Sequence, residues 1–209
     1  MTLINSLIQN GYLKTPEIIE AFKKINRKDF LLPEHINETE VDEALPIGYK
    51  QTISQPSTVV FMLELLQPKI GDKILDIGSG SGWTTALLAE IVGNQGKVYS
   101  IERIPEIKNF GEQNISKYNF IKTRRVETIC GNGYEGLSKH APFNKILVSA
   151  SAPKAPPQLL AQLKIKGKMV IPVGEQYKSQ EIVLYTKISK NNFKIEHFPG
   201  FVFVPLLAH

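Results

Sequence analysis

The stretch Lys73-Ile74-Leu75-Asp76-Ile77-Gly78-Ser79-Gly80-Ser81-Gly82-Trp83 decides the fold. Its first five residues read as a short buried strand, and Trp83–Val92 reads as a helix. Between them stand three glycines, two positions apart. One glycine would serve a bare strand-to-helix turn. Three let the backbone approach a ligand closely, and the free amides at the helix start suit an anionic group. A dinucleotide-binding fingerprint would need its third glycine where Trp83 stands, so that motif is absent. A ligand loop of another kind is expected.

Outward from this loop, strands and helices alternate. Lys97–Ile101 reads as a strand, Ile104–Tyr118 as a helix holding a costly Gly111, and Arg124–Ile129 and Lys145–Ser149 as further strands. Pro157–Leu163 reads as a short helix, and Lys168–Val173, Glu181–Ile188 and Phe193–Val204 as three closing β segments. This order implies an α/β fold with a doubly wound, mostly parallel sheet and antiparallel pairing at one edge. Upstream, Thr15-Pro16-Glu17 signals a helix start, a capping hydroxyl followed by proline. Ile18, Ile19, Phe22 and Ile25 then share one face. Periodicity fades from Arg27 to Ser54, a long loop punctuated by Leu32-Pro33, Leu45-Pro46 and Ile47-Gly48. Gln55–Leu66 resumes as a helix with Val59, Val60, Leu63 and Leu66 as its inner stripe. One domain over residues 1–209 is expected: N-terminal helices and a loop over 1–54, and an α/β core over 55–209.

The 209 residues are 42% hydrophobic and 22% charged, enough apolar content for a packed core and too little charge for disorder. The net charge of +5 comes from scattered Lys and Arg, which read as a solvated surface, so no nucleic-acid partner is expected. The single cysteine, Cys130, can form neither an internal disulfide nor a zinc site of its own. Met1–Gln9 lacks a basic leader and no stretch has the length of a membrane span, so a cytoplasmic protein without a membrane partner is expected. Oligomeric state is not legible.

Two further loops carry candidate chemistry. Glu102 ends the second strand, 22 residues after Gly80 (102 − 80), at the carboxyl edge where open α/β sheets bind ligands. A carboxylate there either accepts hydrogen bonds from both hydroxyls of a ribose or forms a surface pair with Arg103 or Lys97. The third strand leads into Cys130-Gly131-Asn132-Gly133. There Asn132 either recognises the amino group of an adenine through its carbonyl oxygen or makes an Asn-Gly turn.

Glycines at alternate positions after a strand resemble the first motif of the class I S-adenosylmethionine-dependent methyltransferases. The resemblance implies a seven-stranded Rossmann-like sheet and S-adenosyl-L-methionine as cofactor. On it, Gly78, Ser79, Gly80 and Gly82 cradle the methionine part, Glu102 the ribose, and Gly131, Asn132 and Gly133 the adenine. Asp76 lies beside the cofactor's amino group or orients the glycine loop. Several classes are set aside by absence. Ile129-Cys130 is the wrong setting for a cytosine-5 nucleophile, and Ser149-Ala150-Ser151-Ala152-Pro153 stands where amino-methylating enzymes carry Asn-Pro-Pro-aromatic. No acidic or His cluster suggests a metal.

Ala44-Leu45-Pro46-Ile47-Gly48-Tyr49-Lys50-Gln51-Thr52-Ile53-Ser54-Gln55-Pro56 resembles the substrate loop of the protein-L-isoaspartate O-methyltransferases. Arg27 through Phe30 to Pro33, Ala141-Pro142-Phe143, Ile171-Pro172-Val173-Gly174 and Phe203-Val204-Pro205-Leu206 resemble that family's other signatures, in order. The chain departs from the family pattern at Asn132 and Asn144, where Asp is usual, and weaker cofactor affinity is expected. The resemblance implies methyl transfer to the carboxylate of L-isoaspartyl residues in damaged proteins, with repair through a succinimide. It also implies that Thr52, Ile53 and Ser54 bind substrate, with Ser54 at the reacting carboxylate. From the residues alone, Ser54 reads as the cap of the following helix. Two rival readings remain: a class I methyltransferase of RNA or a small molecule, and a degenerate homologue that binds cofactor without turnover.

Overall fold

The computed structural model describes residues 2–176 and 178–207. It opens with helices α1 (Leu3–Gln9) and α2 (Pro16–Lys24). Two 3-10 turns, Arg27–Phe30 and Pro33–Glu38, lead to a small antiparallel hairpin of β1 (Leu45–Gly48) and β2 (Gln51–Ile53). Then come α3 (Pro56–Leu66), β3 (Lys73–Ile77), α4 (Trp83–Val92), β4 (Lys97–Glu102) and α5 (Pro105–Ser116). The chain closes with β5 (Val126–Cys130), β6 (Phe143–Val148), α6 (Pro157–Gln162), β7 (Leu163–Val173), β8 (Gln180–Ser189) and β9 (Asn192–Phe201).

The large sheet has seven strands in the order β5-β4-β3-β6-β7-β8-β9. Strands β3 to β7 are parallel, and β8 runs antiparallel between β7 and β9. The doubly wound sheet and its antiparallel edge are therefore both present. The chain leaves β3 toward β4 on one side and returns to β6 on the other. That topological switch opens a crevice at the carboxyl ends of β3, β4 and β6.

β3 reads as an uninterrupted apolar run because both its faces are covered. Ile74 joins the core beneath α3 and α4, while Leu75 and Ile77 join the core on the opposite face. Helix α4 is buried almost all round, since α2 packs on its outer side and Phe22 meets the Trp83 ring edge-on at 5.6 Å. Burying a ring of this size is worth about 2–3 kcal/mol. The N-terminal helices thus hold the helix that follows the glycine loop.

The structure corrects some local expectations. α2 starts at Pro16, but the Thr15 hydroxyl does not cap it; it donates to Glu64 Oε2 at 2.6 Å, while Glu64 Oε1 accepts the amides of Lys14 and Thr15. α3 starts at Pro56, and its N-terminus is served by Asp42, whose Oδ1 accepts the Ser57 amide at 2.8 Å. Ser54 is not the cap. The long loop from Arg27 also holds the β1–β2 hairpin, which the fading periodicity concealed. At its tip Gly48, Tyr49 and Lys50 have φ of +89°, +51° and +58°. For Tyr and Lys this conformation is unfavourable by roughly 1–2 kcal/mol each.

Candidate active site

A narrow recess of about 80 Å³ lies at the switch point, between Gly78 and Gly80 on one side and Glu102, Ile104 and Gly131 on the other. It opens into a wider groove of about 620 Å³ bounded by the β1–β2 hairpin, Ser54 and the C-terminal segment Val202 to Pro205. Gln51, Thr52, Arg103 and Ser149 line both spaces. An inner recess and an outer groove therefore share a boundary, as transfer between two bound partners requires.

The glycine loop is stitched to the end of β4. The Gly78 and Ser79 amides both donate to the Ile101 carbonyl, at 2.9 and 3.2 Å. The Gly80 amide donates to Glu102 Oε2 at 3.1 Å, and Glu102 Oε1 accepts the amides of Arg103 and Ile104 at 2.8 and 3.0 Å. Glu102, only 8% exposed, thus fixes the loop it faces across the recess. The sequence showed the carboxylate but not this anchoring, which depends on the loop folding back. Lys97, one of the surface partners considered for it, pairs instead with Glu127 at 2.7 Å.

Not every glycine in the loop faces the recess. A Cβ on Gly82, at φ +86°, would fall 2.8 Å from the Gly111 carbonyl oxygen and 2.8 Å from Ile115 Cγ1. Gly82 is thus where α5 touches the loop, backbone to backbone. The same contact explains Gly111. Ser79 and Asn132 also stand outside the lining residues of the recess. The Asn132 Oδ1 accepts the Tyr134 amide at 2.9 Å, the turn alternative of the two sequence readings. Gly133 lines the recess and lets this turn lie on the core, since a Cβ there would meet Ile77 Cγ2 at 2.5 Å.

Asp76 is fully buried beneath the glycine loop, outside the recess lining. Its Oδ2 accepts the Thr85 hydroxyl at 2.6 Å, and its Oδ1 has no partner. Of the two readings for Asp76, this placement favours the loop-orienting one. Burial pushes its carboxyl up to about 7; the Thr85 hydrogen bond opposes the shift and the charge of Glu102 adds to it. The native state therefore binds this proton more tightly than the unfolded chain. The stability tied to the group is fully present below the unfolded value of 3.8 and is lost as pH rises through about 7. Asp76→Asn is expected to remove that decline, worth up to about 4 kcal/mol across the window. Urea unfolding at several pH values checks this, and a decline as steep as in the parent would contradict it.

On the outer side, Thr52 and Ser54 line the groove, whereas Ile53 is 3% exposed and sits in the core opposite Leu45. Gln51 and Ser149, which sequence reasoning missed, lie where recess and groove meet. Arg27 supports this region from behind. It is 4% exposed and lies over the Trp83 ring at 5.5 Å. It donates to the carbonyl oxygens of Val41 at 2.6 Å, Glu43 at 2.7 Å and Thr39 at 3.4 Å. Burial lowers its pKa to about 10, against the pull of Asp42, Glu38 and Glu40, so it remains a cation at neutral pH. Among the described residues, no group of three or more His, Cys, Asp or Glu could hold a metal ion, and no helix is long and apolar enough to cross a membrane.

Comparison with known proteins points the same way. The chain is 42% identical over 205 residues to a protein-L-isoaspartate O-methyltransferase of Thermococcus onnurineus, covering 98% of this chain and 91% of that one. It is 40% identical to one of Methanococcoides burtonii, covering 99% of this chain and 98% of that one. A Plasmodium falciparum chain described as a protein-L-isoaspartate O-methyltransferase, solved with S-adenosyl-L-homocysteine, superposes with a TM-score of 0.88 at 25% identity, covering 99% and 97% of the two chains. The family model for protein-L-isoaspartate(D-aspartate) O-methyltransferase matches residues 1–209. The chain belongs to the protein-L-isoaspartate(D-aspartate) O-methyltransferase family.

Proposed function

We propose that this protein transfers a methyl group from S-adenosyl-L-methionine to the free carboxylate of L-isoaspartyl residues in damaged proteins. The observation that carries the reading is the shared boundary between a glycine-walled recess and a groove lined by Ser54. Residues 1–209 act as one methyltransferase domain, and its lone cysteine suits the reducing cytoplasm.

The recess fits the cofactor's chemistry. Gly78 and Gly80, at φ +75° and +54°, bring backbone close to its amino-acid end. Glu102 spends three acceptor directions on amides and keeps capacity for a ribose hydroxyl. Gly131 leaves an open face for the adenine, with Ile101 and Ile104 as apolar walls, and Gly133 adds backbone to the same lining. Asp76, Ser79, Gly82 and Asn132 support this site from outside the recess lining, by holding the loops that form it. Bound there, S-adenosylmethionine supplies an electrophilic methyl on a sulfonium.

The substrate carboxylate, with a pKa of roughly 4, is already ionised at neutral pH, so no general base is needed. Ser54 Oγ donates to one carboxylate oxygen and leaves the other free to attack. Thr52 borders the same path, and Ile53 anchors the strand from the core. In the resulting ester methoxide leaves far more readily than oxide would from a carboxylate. The backbone amide nitrogen of the following residue therefore attacks the ester carbonyl, methanol departs, and hydrolysis of the succinimide returns some aspartate. Ser54→Ala removes one hydrogen bond to an anion, about 1.5–3 kcal/mol. A fall in kcat of roughly 10- to 100-fold is expected, with S-adenosylhomocysteine affinity within twofold of the parent. An equal loss of both would contradict the assigned role.

Radiolabelled methyl transfer to an isoaspartyl peptide, against its aspartyl twin, tests the function. Transfer to the isoaspartyl form alone is expected. Transfer to neither peptide, with the cofactor bound, would favour a non-catalytic homologue.

A further inference from the structure

The outer groove carries a charge that methyl transfer itself does not use. Among the described residues that line it, Lys50 and Arg103 are basic and none is Asp or Glu. Glu102, next to Arg103 in sequence, lies in the inner recess with its oxygens on backbone amides. The groove also has apolar lining, with Val204 and Pro205 beside Val202, which is 75% exposed. A segment lying in the groove therefore meets both apolar surface and positive charge.

Lys50 owes its place to an unusual turn. Tyr49 and Lys50 are consecutive at φ +51° and +58°, in a region that glycine and asparagine favour and other residues rarely adopt. Both side chains are exposed, and both line the groove. Gln51 Nε2 donates to the Tyr49 carbonyl at 3.2 Å and fastens the tip. A tip kept in this conformation puts an aromatic ring and an ammonium group into the lining of the groove.

We propose that Lys50 is a specificity-determining residue that makes the groove favour isoaspartyl segments with an acidic side chain beside the isoaspartate over those with a basic one. The inference rests on reading the groove as the peptide site. It follows from Coulomb's law at a wet surface. A unit charge about 7 Å from Lys50 gains or loses little by itself, but the difference between an acidic and a basic neighbour amounts to roughly fivefold in kcat/KM at low salt. The same field steers an anionic segment toward the mouth.

Three peptides that share one isoaspartyl centre and differ only in its neighbour, Glu, Gln or Lys, test this. kcat/KM is measured for the full chain and for Lys50→Glu at about 20 mM and about 500 mM salt. The expected parent order is Glu over Gln over Lys, with a Glu-to-Lys ratio near fivefold that shrinks at high salt. In Lys50→Glu the ratio is expected to fall to one or invert. A parent ratio of one, or a ratio unchanged by Lys50→Glu, overturns the proposal while transfer to the Gln peptide keeps the peptide-site reading intact. No transfer to any of the three overturns both.

Discussion

Gly111→Ala is expected to destabilise the protein by about 2–4 kcal/mol and to weaken S-adenosylhomocysteine binding at least tenfold. On an exposed helix the same change would stabilise by about 1 kcal/mol. Here the sign reverses because of one backbone contact. A Cβ at Gly111 would fall 2.6 Å from the Gly80 carbonyl oxygen and 3.3 Å from the Gly82 amide nitrogen. Neither atom is the end of a flexible side chain, so the whole glycine loop must move, and with it the Gly80 amide held by Glu102. Urea unfolding and calorimetric titration measure the two effects. A gain in stability with unchanged affinity would show that α5 and the loop do not depend on each other as described.

Arg27→Met is expected to cost about 3 kcal/mol, because an apolar chain of similar reach leaves the carbonyls of Thr39, Val41 and Glu43 without their donor. Those carbonyls belong to the segment that carries Asp42, whose carboxylate holds the start of α3 at Ser57, so the segment before the hairpin and the helix directly after it are tied together beside the groove. Loosening that segment is expected to raise KM for an isoaspartyl peptide at least tenfold, and to alter S-adenosylhomocysteine affinity less. Steady-state kinetics beside calorimetry separate the two, and equal losses would show that Arg27 serves the cofactor loop through Trp83 instead.

The parts of the fold most legible in the sequence are those whose signals are local. Lys73–Ile77 and Trp83–Val92 stand where the apolar run and the helical spacing put them, because both faces of β3 and nearly all of α4 are buried and the glycines punctuate the join. The β1–β2 hairpin was not legible, since Pro46 lies within its first strand and Tyr49-Lys50 lacks the asparagine and glycine that announce such a turn. The cap of α3 comes from Asp42, 15 residues upstream of Ser57, and no local rule reaches that far.

The candidate site divides in the same way. Gly78, Gly80, Glu102 and Gly131 line the recess, as residue type and strand ends suggested. Gly82 and Gly111 looked like a ligand glycine and a helix defect, yet they are two sides of one packing contact that only the tertiary structure reveals. Ser149 and Gln51 carry no motif signal, and they enter the site because β6 and the hairpin end beside the same loop.

On the proposed function, the recess between the glycine loop and Glu102 holds a sulfonium nucleoside beside Ser54. A crystal of the full chain soaked with S-adenosylhomocysteine decides the matter. The expected density places a ribose hydroxyl on the Glu102 carboxylate and the amino-acid end over Gly78 and Gly80, with the sulfur facing the groove. Density for the nucleoside at any other place, or none after a saturating soak, would contradict it.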